Sequence, residues 1–399
     1  MSKYDAIVIG AGHNGLTNAA YLAKSGLKVL LLEKNDYIGG AAVSRVLQDG
    51  WTYSNCSYVC SLLRPEIFRD LNLQKYGLQV LPYGGSVTFM QNGDIFGGYS
   101  DEDLARREIG RFSKRDADAY VRFARDVSRQ CRFIKPMLLR TPPDPTSFKP
   151  KDLGELIYLF KRLYSLGEQT IYDTIRFYTM SVAEYLEEYF ETDVIKAALS
   201  GSGIIGTGLG PYSPGTAYVL LHHYMGEVDG SIGSWGYARG GMGAISNALA
   251  GAFQDHDGEI KKESEVSQII VKNGRAKGVV LANGDEYYAK NVVSNLDVKR
   301  TYQKLFDPKD LSEKVLKQVD AFKIRGSSGK LNIALDGMPE FPALGKNNPL
   351  IYADMHFIDS LERMERAFDD WKNGRWSRDP YTDVLIPTMT DPTMSPPGK

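Results

Sequence analysis

The stretch that decides the fold is Tyr4-Asp-Ala-Ile-Val-Ile-Gly10-Ala-Gly12-His-Asn-Gly15, where an apolar run meets a glycine-rich turn. The apolar run predicts a strand buried on both faces, and the periodicity after Gly15 predicts a helix that ends at Gly26. A second apolar run, Lys28-Val-Leu-Leu-Leu-Glu33, predicts a strand that ends in an acid. This order of strand, glycine-rich turn, helix, strand and acid within about 30 residues is typical of a dinucleotide-binding unit.

Each part of this unit has a physical role in holding a dinucleotide. Gly10 allows the tight turn, Gly12 lets the backbone approach a pyrophosphate, and Gly15 lets the helix pack close to the strand. The free N–H groups and the dipole at the start of the helix attract phosphate charge, and Glu33 can accept hydrogen bonds from a ribose hydroxyl. The alternative is a glycine-rich turn without a ligand. The predicted cofactor contacts are Gly10, Ala11, Gly12, His13, Asn14, Gly15 and Glu33.

A second glycine pair follows the acid, in Glu33-Lys-Asn-Asp-Tyr-Ile-Gly39-Gly-Ala-Ala-Val-Ser-Arg45, and suggests that backbone lies against the same cofactor again. With these motifs the sequence resembles the FAD-dependent amine oxidase and phytoene desaturase superfamily, whose members carry GxGxxG, an acid followed by a basic residue, and then Gly-Gly. Many members have Arg after the glycine pair, where this chain has Ala41, and Arg45 could supply that charge. The resemblance implies FAD rather than NAD, with further contacts at Lys34, Gly39, Gly40 and Arg45.

Several motifs are similar to those of the phytoene-dehydrogenase-related branch of that superfamily, and the similarity covers the whole chain. In that branch a turn like Gly240-Gly-Met-Gly243 returns the chain to the cofactor domain, and the strand at Val266 brings backbone to the adenine. Members usually carry a further C-terminal stretch that closes the flavin site. We expect that stretch to be absent here and FAD to be bound weakly. The motifs are Gly39-Gly-Ala-Ala-Val43, Ser61-Leu-Leu-Arg-Pro65, Gly240-Gly-Met-Gly243 and Asp391-Pro-Thr-Met-Ser-Pro-Pro-Gly-Lys399.

The predicted fold class is α/β, with a Rossmann-type FAD-binding domain of the glutathione-reductase-like kind and a discontinuous α+β substrate domain. The FAD-binding domain comprises residues 1–85 and 236–298. The substrate domain comprises residues 86–235, which are mainly helical, and residues 299–399. Apolar runs and turn signals predict strands at 266–271, 275–281, 286–294, 330–335 and 383–386.

The resemblance implies an FAD-dependent oxidoreductase of the dehydrogenase, desaturase or oxidase type, which takes a hydride from a hydrophobic small molecule. In such enzymes the flavin supplies the chemistry and the protein binds, orients and excludes water, so no catalytic side chain is predicted. Tyr237 and Arg239 are candidates for flavin or substrate contact. One alternative is a non-catalytic or regulatory flavoprotein, or an inactive fragment. Another is an NAD(P)H-dependent flavin reductase, which the single nucleotide fingerprint disfavours.

Composition excludes several other classes of protein. Lys plus Arg (48) nearly balance Asp plus Glu (49), so the net charge of −1 gives no support to nucleic-acid binding. Three cysteines in 399 residues do not make a disulfide scaffold. No apolar run approaches the roughly 20 residues of a membrane span, and no signal peptide precedes the strand at Tyr4. We expect a cytoplasmic protein, and the resemblance implies a mitochondrial location for close eukaryotic relatives.

The region from residue 122 to residue 162 is basic and amphipathic, with ten Lys/Arg and four Asp/Glu. Arg122, Arg125 and Arg129 lie opposite an apolar helical face. Such a stretch could lie on an anionic membrane surface, and phytoene desaturases draw lipophilic substrates from membranes. The alternative is a solvated helix face above a core.

Redox-active cysteines and metal sites are not expected. Cys56 and Cys60 have three residues between them rather than the two of a thioredoxin-like motif. Five scattered histidines and no CxxC pair do not match the usual metal-ligand spacings, so no metal is predicted. His222 and His223 are adjacent, so a regular strand would point them to opposite faces, where either could contact substrate. A structural role for both histidines is the alternative.

Overall fold

A computed structural model describes residues 3–165 and 167–399 of the chain. In chain order its strands are β1 Tyr4–Ile9, β2 Val29–Leu32, β3 Ser44–Gln48, β4 Trp51–Ser54, β5 Val80–Tyr83, β6 Ser86–Phe89, β7 Ile95–Gly98, β8 Glu227–Val228, β9 Ser231–Ile232, β10 Trp235–Ala238, β11 Glu259–Lys261, β12 Val266–Lys272, β13 Arg275–Leu281, β14 Glu286–Ser294, β15 Asp354–His356 and β16 Asp383–Val384. Its α-helices are α1 His13–Lys24, α2 Pro65–Asp70, α3 Glu102–Gly110, α4 Lys114–Ile134, α5 Pro150–Tyr164, α6 Glu168–Thr179, α7 Val182–Glu187, α8 Asp193–Ile204, α9 Thr216–Tyr224, α10 Gly243–Asp255, α11 Glu313–Ala321 and α12 Leu361–Lys372.

The largest sheet has the strand order β11-β2-β1-β14-β13-β12. The strands β11, β2, β1 and β14 are parallel, and β13 and β12 continue the sheet in antiparallel fashion. On one face of β1, Val8 shares a core with residues of α1 and α10. On the other face, Ile7 shares a core with residues of β12 and β13. The prediction of a first strand buried on both faces is therefore confirmed.

The last strand of this sheet comes from far along the chain. β14 pairs with β1 in register, with Tyr4 opposite Ala289 and Ile9 opposite Ser294. The three strands predicted between residues 266 and 294 are confirmed. The turn that joins β12 to β13 has positive φ at both Asn273 (+53°) and Gly274 (+70°), as a tight hairpin requires.

A second sheet, with the order β16-β15-β6-β7, combines distant segments of the chain. β15 runs parallel to β6 and antiparallel to β16. The helices between β7 and β8 form a separate core in which Phe123 and Phe177 are almost fully buried. β5 and β10 pair antiparallel, and β10 leads into the turn before α10. The architecture is thus a mixed α/β fold with a helical layer.

One predicted strand is absent, one is shorter than predicted, and the strand geometry considered for two histidines is replaced by a helix. The strand predicted at 330–335 does not form, although Leu331 and Ile333 alternate with polar residues; they are 79% and 63% exposed. A strand needs a neighbour to pair its N–H and C=O groups, so alternation alone does not produce one. The strand predicted at 383–386 is only two residues long. His222 and His223 lie in α9 and not in a strand.

Candidate functional site

The turn between β1 and α1 brings the start of a helix to the edge of the main sheet. Gly10 has a φ of +93°, a conformation that favours glycine. α1 begins directly after Gly12, and no side chain caps its first turn. A Cβ on Gly15 would lie 2.1 Å from the carbonyl oxygen of Gly10, so helix and strand pack as closely as the sequence predicts. His13 and Asn14 are exposed at the start of the helix.

Glu33 is buried beside this turn and holds its backbone in place. Its Oε2 atom accepts a hydrogen bond from the N–H of Ala11 at 2.9 Å. Its Oε1 atom accepts from the backbone N–H and the side-chain amide of Asn35, at 3.0 and 2.9 Å. A carboxylate offers about four lone-pair positions, so a further position remains for a ribose hydroxyl. The N–H of Ala11 is already bonded and is not free to bind a phosphate.

The second glycine pair lies directly against the first turn. Gly12 and Gly39 form an isolated β-bridge, and the N–H of Gly39 donates to the carbonyl of Ala11 at 2.8 Å. Gly39 and Gly40 both have positive φ, and a Cβ on Gly40 would lie 3.1 Å from the Cα of Gly12. Two glycine-rich turns therefore meet at the start of α1. We call these two turns, Gly10–Gly15 and Gly39–Gly40, the glycine cradle.

The start of α10 adds a third backbone segment beside the cradle. The N–H of Gly243 donates to Oγ of Ser44 at 2.9 Å, and the N–H of Met242 donates to Oγ of Ser54 at 3.0 Å. Both serines follow the second glycine pair in sequence and lie on β3 and β4. The turn at residues 240–243 therefore packs against β3 and β4, the two strands that follow the second glycine pair.

Lys34 and the segment before β12 line a cavity of about 490 Å³ next to Glu33. The N–H of Ser264 donates to the carbonyl of Glu33 at 2.8 Å, which fixes this segment beside the end of β2. Val266 is 8% exposed and its side chain packs in the core, so its backbone is the part that can face a ligand. The cavity is lined by Lys34, Asp36, Glu263, Ser264, Glu265, Leu281, Ala282 and Asn283.

Arg45 does not extend into this cavity. It lies on β3, and its guanidinium carbon is 4.5 Å from the centroid of the Tyr37 ring. Most of the predicted contacts thus come together around the start of α1. Arg45 is held against an aromatic ring on the segment between Glu33 and Gly39.

A second buried polar group, which the sequence spacing did not indicate, lies on the second sheet. His356 is 6% exposed, and its Nε2 atom lies 3.3 Å from Oδ2 of Asp354 and 3.3 Å from Oδ1 of Asp383. Burial lowers the pKa of His356 but the two carboxylates raise it by more, so the pKa lies above its ordinary value. Burial, and then the charge of Asp354, raise the pKa of Asp383. We call these three residues the Asp–His–Asp cluster.

Tyrosine side chains lie next to this cluster. The hydroxyl of Tyr58 donates to Oδ2 of Asp383 at 3.0 Å, and the rings of Tyr83 and Tyr237 stack with centroids 4.9 Å apart. Burial raises the pKa of all three phenols, with a further contribution from the nearby carboxylates. Arg239, the other candidate from the sequence, is exposed and donates to Oε1 of Gln79 at 3.1 Å. Tyr237 therefore joins the buried group and Arg239 does not.

Lys330 connects the tyrosines to the segment beside the cradle. Its Nζ atom donates to the carbonyl of Ser54 and lies 5.4 Å from the centroid of the Tyr58 ring. Burial lowers the pKa of this amine. In the sequence, Lys330 only precedes a segment in which apolar and polar residues alternate, and this pattern did not indicate a role for the lysine in a site. Its position depends on contacts between residues far apart in the chain.

The cysteines and the adjacent histidines show no sign of chemistry. All three cysteines are free, and burial raises the pKa of Cys60 to about 11 and that of Cys131 to about 12. Both thiols therefore stay protonated at neutral pH and are poor nucleophiles. The Nδ1 atom of His223 lies 2.9 Å from the carbonyl oxygen of Val219, and its ring stacks on Trp235. These contacts give His223 a structural role.

Comparison with known proteins identifies the family to which the chain belongs. The sequence profile of the flavin containing amine oxidoreductases matches residues 15–391. The chain belongs to this family. It is 34% identical, over 99% of its length, to pyridine nucleotide-disulfide oxidoreductase domain-containing protein 2 of Mus musculus, and covers 72% of that protein. It is 26% identical, over 98% of its length, to the phytoene desaturase (lycopene-forming) of Pseudescherichia vulneris, and covers 74% of it.

A solved structure, an oxidoreductase from Methanosarcina mazei, shares the fold with a TM-score of 0.52 at 17% identity. The match covers 79% of this chain and 65% of that one, so the chain spans about two thirds of its length. The superfamily that the glycine motifs indicated is confirmed. The protein is an FAD-dependent oxidoreductase with a mixed α/β fold of the flavin amine oxidase type.

Proposed function

We propose that the glycine cradle binds the FAD of this oxidoreductase, with the pyrophosphate at the start of α1 and the ribose at Glu33. The observation that carries the proposal is the β-bridge between Gly12 and Gly39 beside an uncapped helix start. Backbone without Cβ atoms allows a pyrophosphate to approach, and the unpaired N–H groups of α1 attract its charge. The contacts proposed are Gly10, Ala11, Gly12, His13, Asn14, Gly15, Glu33, Lys34, Gly39, Gly40, Arg45 and Val266.

The cofactor domain is proposed to be of the Rossmann type and discontinuous, with residues 1–85 and 236–298. The parallel pairing of β14 with β1 supports this division, because it joins the two segments in one sheet. The pairing of β15 with β6 supports a substrate domain made of residues 86–235 and 299–399. The adenine end of the cofactor is placed in the cavity beside Ser264.

Bound FAD supplies the hydride acceptor, and the protein's own residues bind, orient and exclude water. We place the reacting part of the substrate beside the stacked rings of Tyr83 and Tyr237. Buried phenols with raised pKa keep their protons at neutral pH, so they present an uncharged surface. Lys330 holds the neighbouring Tyr58 ring, because its Nζ atom bonds to the carbonyl of Ser54 and lies 5.4 Å from the centroid of that ring.

The substrate is proposed to be a hydrophobic small molecule. The similarity to a phytoene desaturase supports this class, and so does the aromatic wall formed by Tyr83 and Tyr237. Aromatic rings offer large apolar contact areas to such molecules. Phe160 and Tyr164 on α5, at the end of the basic region 122–162, are 67% and 78% exposed, which supports contact of this helix with a membrane that holds the substrate. None of the described helices is long and apolar enough to cross a bilayer.

Anaerobic reduction of the bound flavin tests the proposed function. Protein loaded with FAD is mixed with a polyene in detergent micelles, with a small aliphatic amine, or with NADPH, and the flavin absorbance is followed. We expect bleaching by the lipophilic donor and none by NADPH alone. Bleaching by NADPH alone would instead identify a flavin reductase. Retention of FAD without bleaching by any donor would identify a non-catalytic flavoprotein.

A further inference from the structure

Four polar residues lie on one face of the second sheet, where a core would usually be apolar. Asp354 and His356 alternate on β15 and so point to the same face. Asp383 on β16 is the pairing partner of His356, and Thr88 on β6 is its partner on the other side. Residues paired across a ladder share a face, so the register of three strands assembles this group.

The hydrogen-bonding needs of this group are not met by the protein. Oγ1 of the fully buried Thr88, Oδ1 of Asp354 and Oδ1 of Asp383 have no hydrogen-bond partner, although these atoms are shielded from water. Such atoms are rare in folded proteins, because each costs about 1–3 kcal/mol. Oδ1 of Asp383 stays unbonded even though Nε2 of His356 is 3.3 Å away. Oδ1 of Asp383 therefore faces an imidazole nitrogen without a hydrogen bond between them, and Nδ1 on the other side of the His356 ring has no partner either.

The distances match those of ligands around a metal ion. Nε2 of His356 is 3.3 Å from Oδ2 of Asp354 and 3.3 Å from Oδ1 of Asp383, and the three ligand atoms lie within 4.8 Å of one another. A tetrahedral Zn²⁺ ion with bonds of about 2.0–2.1 Å holds neighbouring ligand atoms about 3.3–3.4 Å apart. Imidazole nitrogen and carboxylate oxygen are both ordinary zinc ligands.

We infer that the Asp–His–Asp cluster binds a divalent transition-metal ion, with Zn²⁺ as the best fit. Two carboxylates neutralise the charge of the ion, and the imidazole, which releases its proton when it binds a metal, completes a set of three protein ligands. The fourth position is left for water, which the free hydroxyl of Thr88 can bind. The inference does not depend on FAD, because none of these residues belongs to the glycine cradle.

A second layer of contacts orients one of the ligands. The Tyr58 hydroxyl donates to Oδ2 of Asp383, the oxygen that does not face His356. Ligating carboxylates are commonly held by hydrogen bonds of this kind. The ion would join β16, a strand of two residues, to β15 and through Tyr58 to the segment that follows β4.

Zinc binding to the whole protein tests the inference. The protein is stripped with a chelator, dialysed and titrated with Zn²⁺, and bound metal and thermal unfolding are measured. We expect one Zn²⁺ per chain and a Tm that rises with Zn²⁺ concentration. His356→Gln and Asp383→Asn should remove both effects. His256→Gln is the matched control, because it makes the same change at an exposed histidine and should bind Zn²⁺ as the wild type does.

Two further measurements keep the inference falsifiable if a ligand variant fails to fold. Tyr58→Phe retains all three ligands and should weaken Zn²⁺ binding by about 10–100-fold. The X-ray absorption edge of the bound zinc should show nitrogen and oxygen ligands, whereas binding to Cys56 would show sulfur. Absence of stoichiometric Zn²⁺ in folded wild-type protein would overturn the inference, as would sulfur ligation or unchanged binding by both ligand variants.

Discussion

Glu33 has a larger role in the structure than its position in the sequence suggested. The sequence placed an acid at the end of the second strand, where a ribose hydroxyl can be bound. The structure adds that the same carboxylate bonds the N–H of Ala11 and both donors of Asn35. This second role could not be predicted, because it depends on how two neighbouring strands end in space. The carboxylate therefore holds the turn of the cradle in place, besides its proposed contact with the ribose.

Replacing Glu33 by Gln should destabilise the protein. A glutamine has one acceptor oxygen, so its NH₂ group would face one of the buried N–H donors and leave it unpaired. The expected loss is about 1–3 kcal/mol in the free energy of unfolding, measured in urea. Glu313→Gln, at a side chain that is 91% exposed, is the control and should change stability little. Equal stability of the two variants would show that the Glu33 hydrogen bonds do not hold the turn.

At the scale of elements, the sequence predictions are correct where an element depends on residues close together in the chain, and they fail where it depends on contacts between distant segments. The β1–α1–β2 unit was predicted because its turn chemistry and apolar periods are local. The segment 330–335 alternates apolar and polar residues as a strand does. Whether a strand forms depends on a neighbouring strand to pair with, and the sequence of the segment itself does not show whether such a neighbour is present. The Asp–His–Asp cluster was missed for the same reason. Its members meet only through the register of β15 with β16.

The hydrogen bond between Tyr4 and Glu259 should tie β1 to β11 in a pH-dependent way. The Tyr4 hydroxyl donates to Oε2 of Glu259 at 2.6 Å, and this bond is the main cause of the lowered pKa of Glu259. A carboxyl with a lowered pKa contributes stability that is present above its ordinary pKa of 4.5 and is lost as the pH falls through the lowered value. Tyr4→Phe should cost about 1 kcal/mol at pH 7.

The same reasoning predicts that the difference in stability between wild type and Tyr4→Phe shrinks as the pH falls from 4.5 through the lowered pKa of Glu259. Urea unfolding at several pH values measures the difference. Tyr288→Phe, which removes a similar bond between exposed residues, to Glu286, is the control and should cost less at every pH. A difference between wild type and Tyr4→Phe that stays constant down to pH 3 would contradict this account of the bond.

Helix α5, at the end of the basic region 122–162, should determine whether the protein binds to a membrane. Phe160→Glu removes an exposed aromatic side chain from its apolar face and adds a negative charge. Binding to vesicles that contain anionic lipid should fall about tenfold or more, because the burial of a large apolar side chain is lost. Trp376→Glu is the control, since Trp376 is 96% exposed and lies outside this helix. Equal binding by both variants would favour a solvated helix face instead.

At the scale of the whole molecule, the chain leaves the largest sheet after β2, forms the helical layer and strands of smaller sheets, and returns to the largest sheet at β11. The return was predicted from the Gly240-Gly-Met-Gly243 turn, and the structure places β14 beside β1. What the sequence left open was how the second sheet is assembled, because β6, β15 and β16 come from three distant segments. The cradle and the Asp–His–Asp cluster therefore differ in whether the sequence alone can reveal them. One is encoded in a continuous motif and the other arises from the fold.

Titration of the protein with FAD tests the central claim, that the cradle holds the cofactor. The wild type is compared with Gly12→Ala, whose Cβ would lie 3.1 Å from Nδ2 of Asn295 and 3.9 Å from the Cα of Gly40 and so would crowd the cradle. The matched control is Gly154→Ala, where a Cβ on α5 meets no atom within 4 Å. If this crowding displaces the start of α1, one hydrogen bond from its N–H groups to a charged phosphate is lost, which is worth about 1.5–3 kcal/mol, so Gly12→Ala should raise the Kd for FAD about tenfold or more. We predict no change for Gly154→Ala, whereas equal Kd values for wild type and Gly12→Ala would contradict the account.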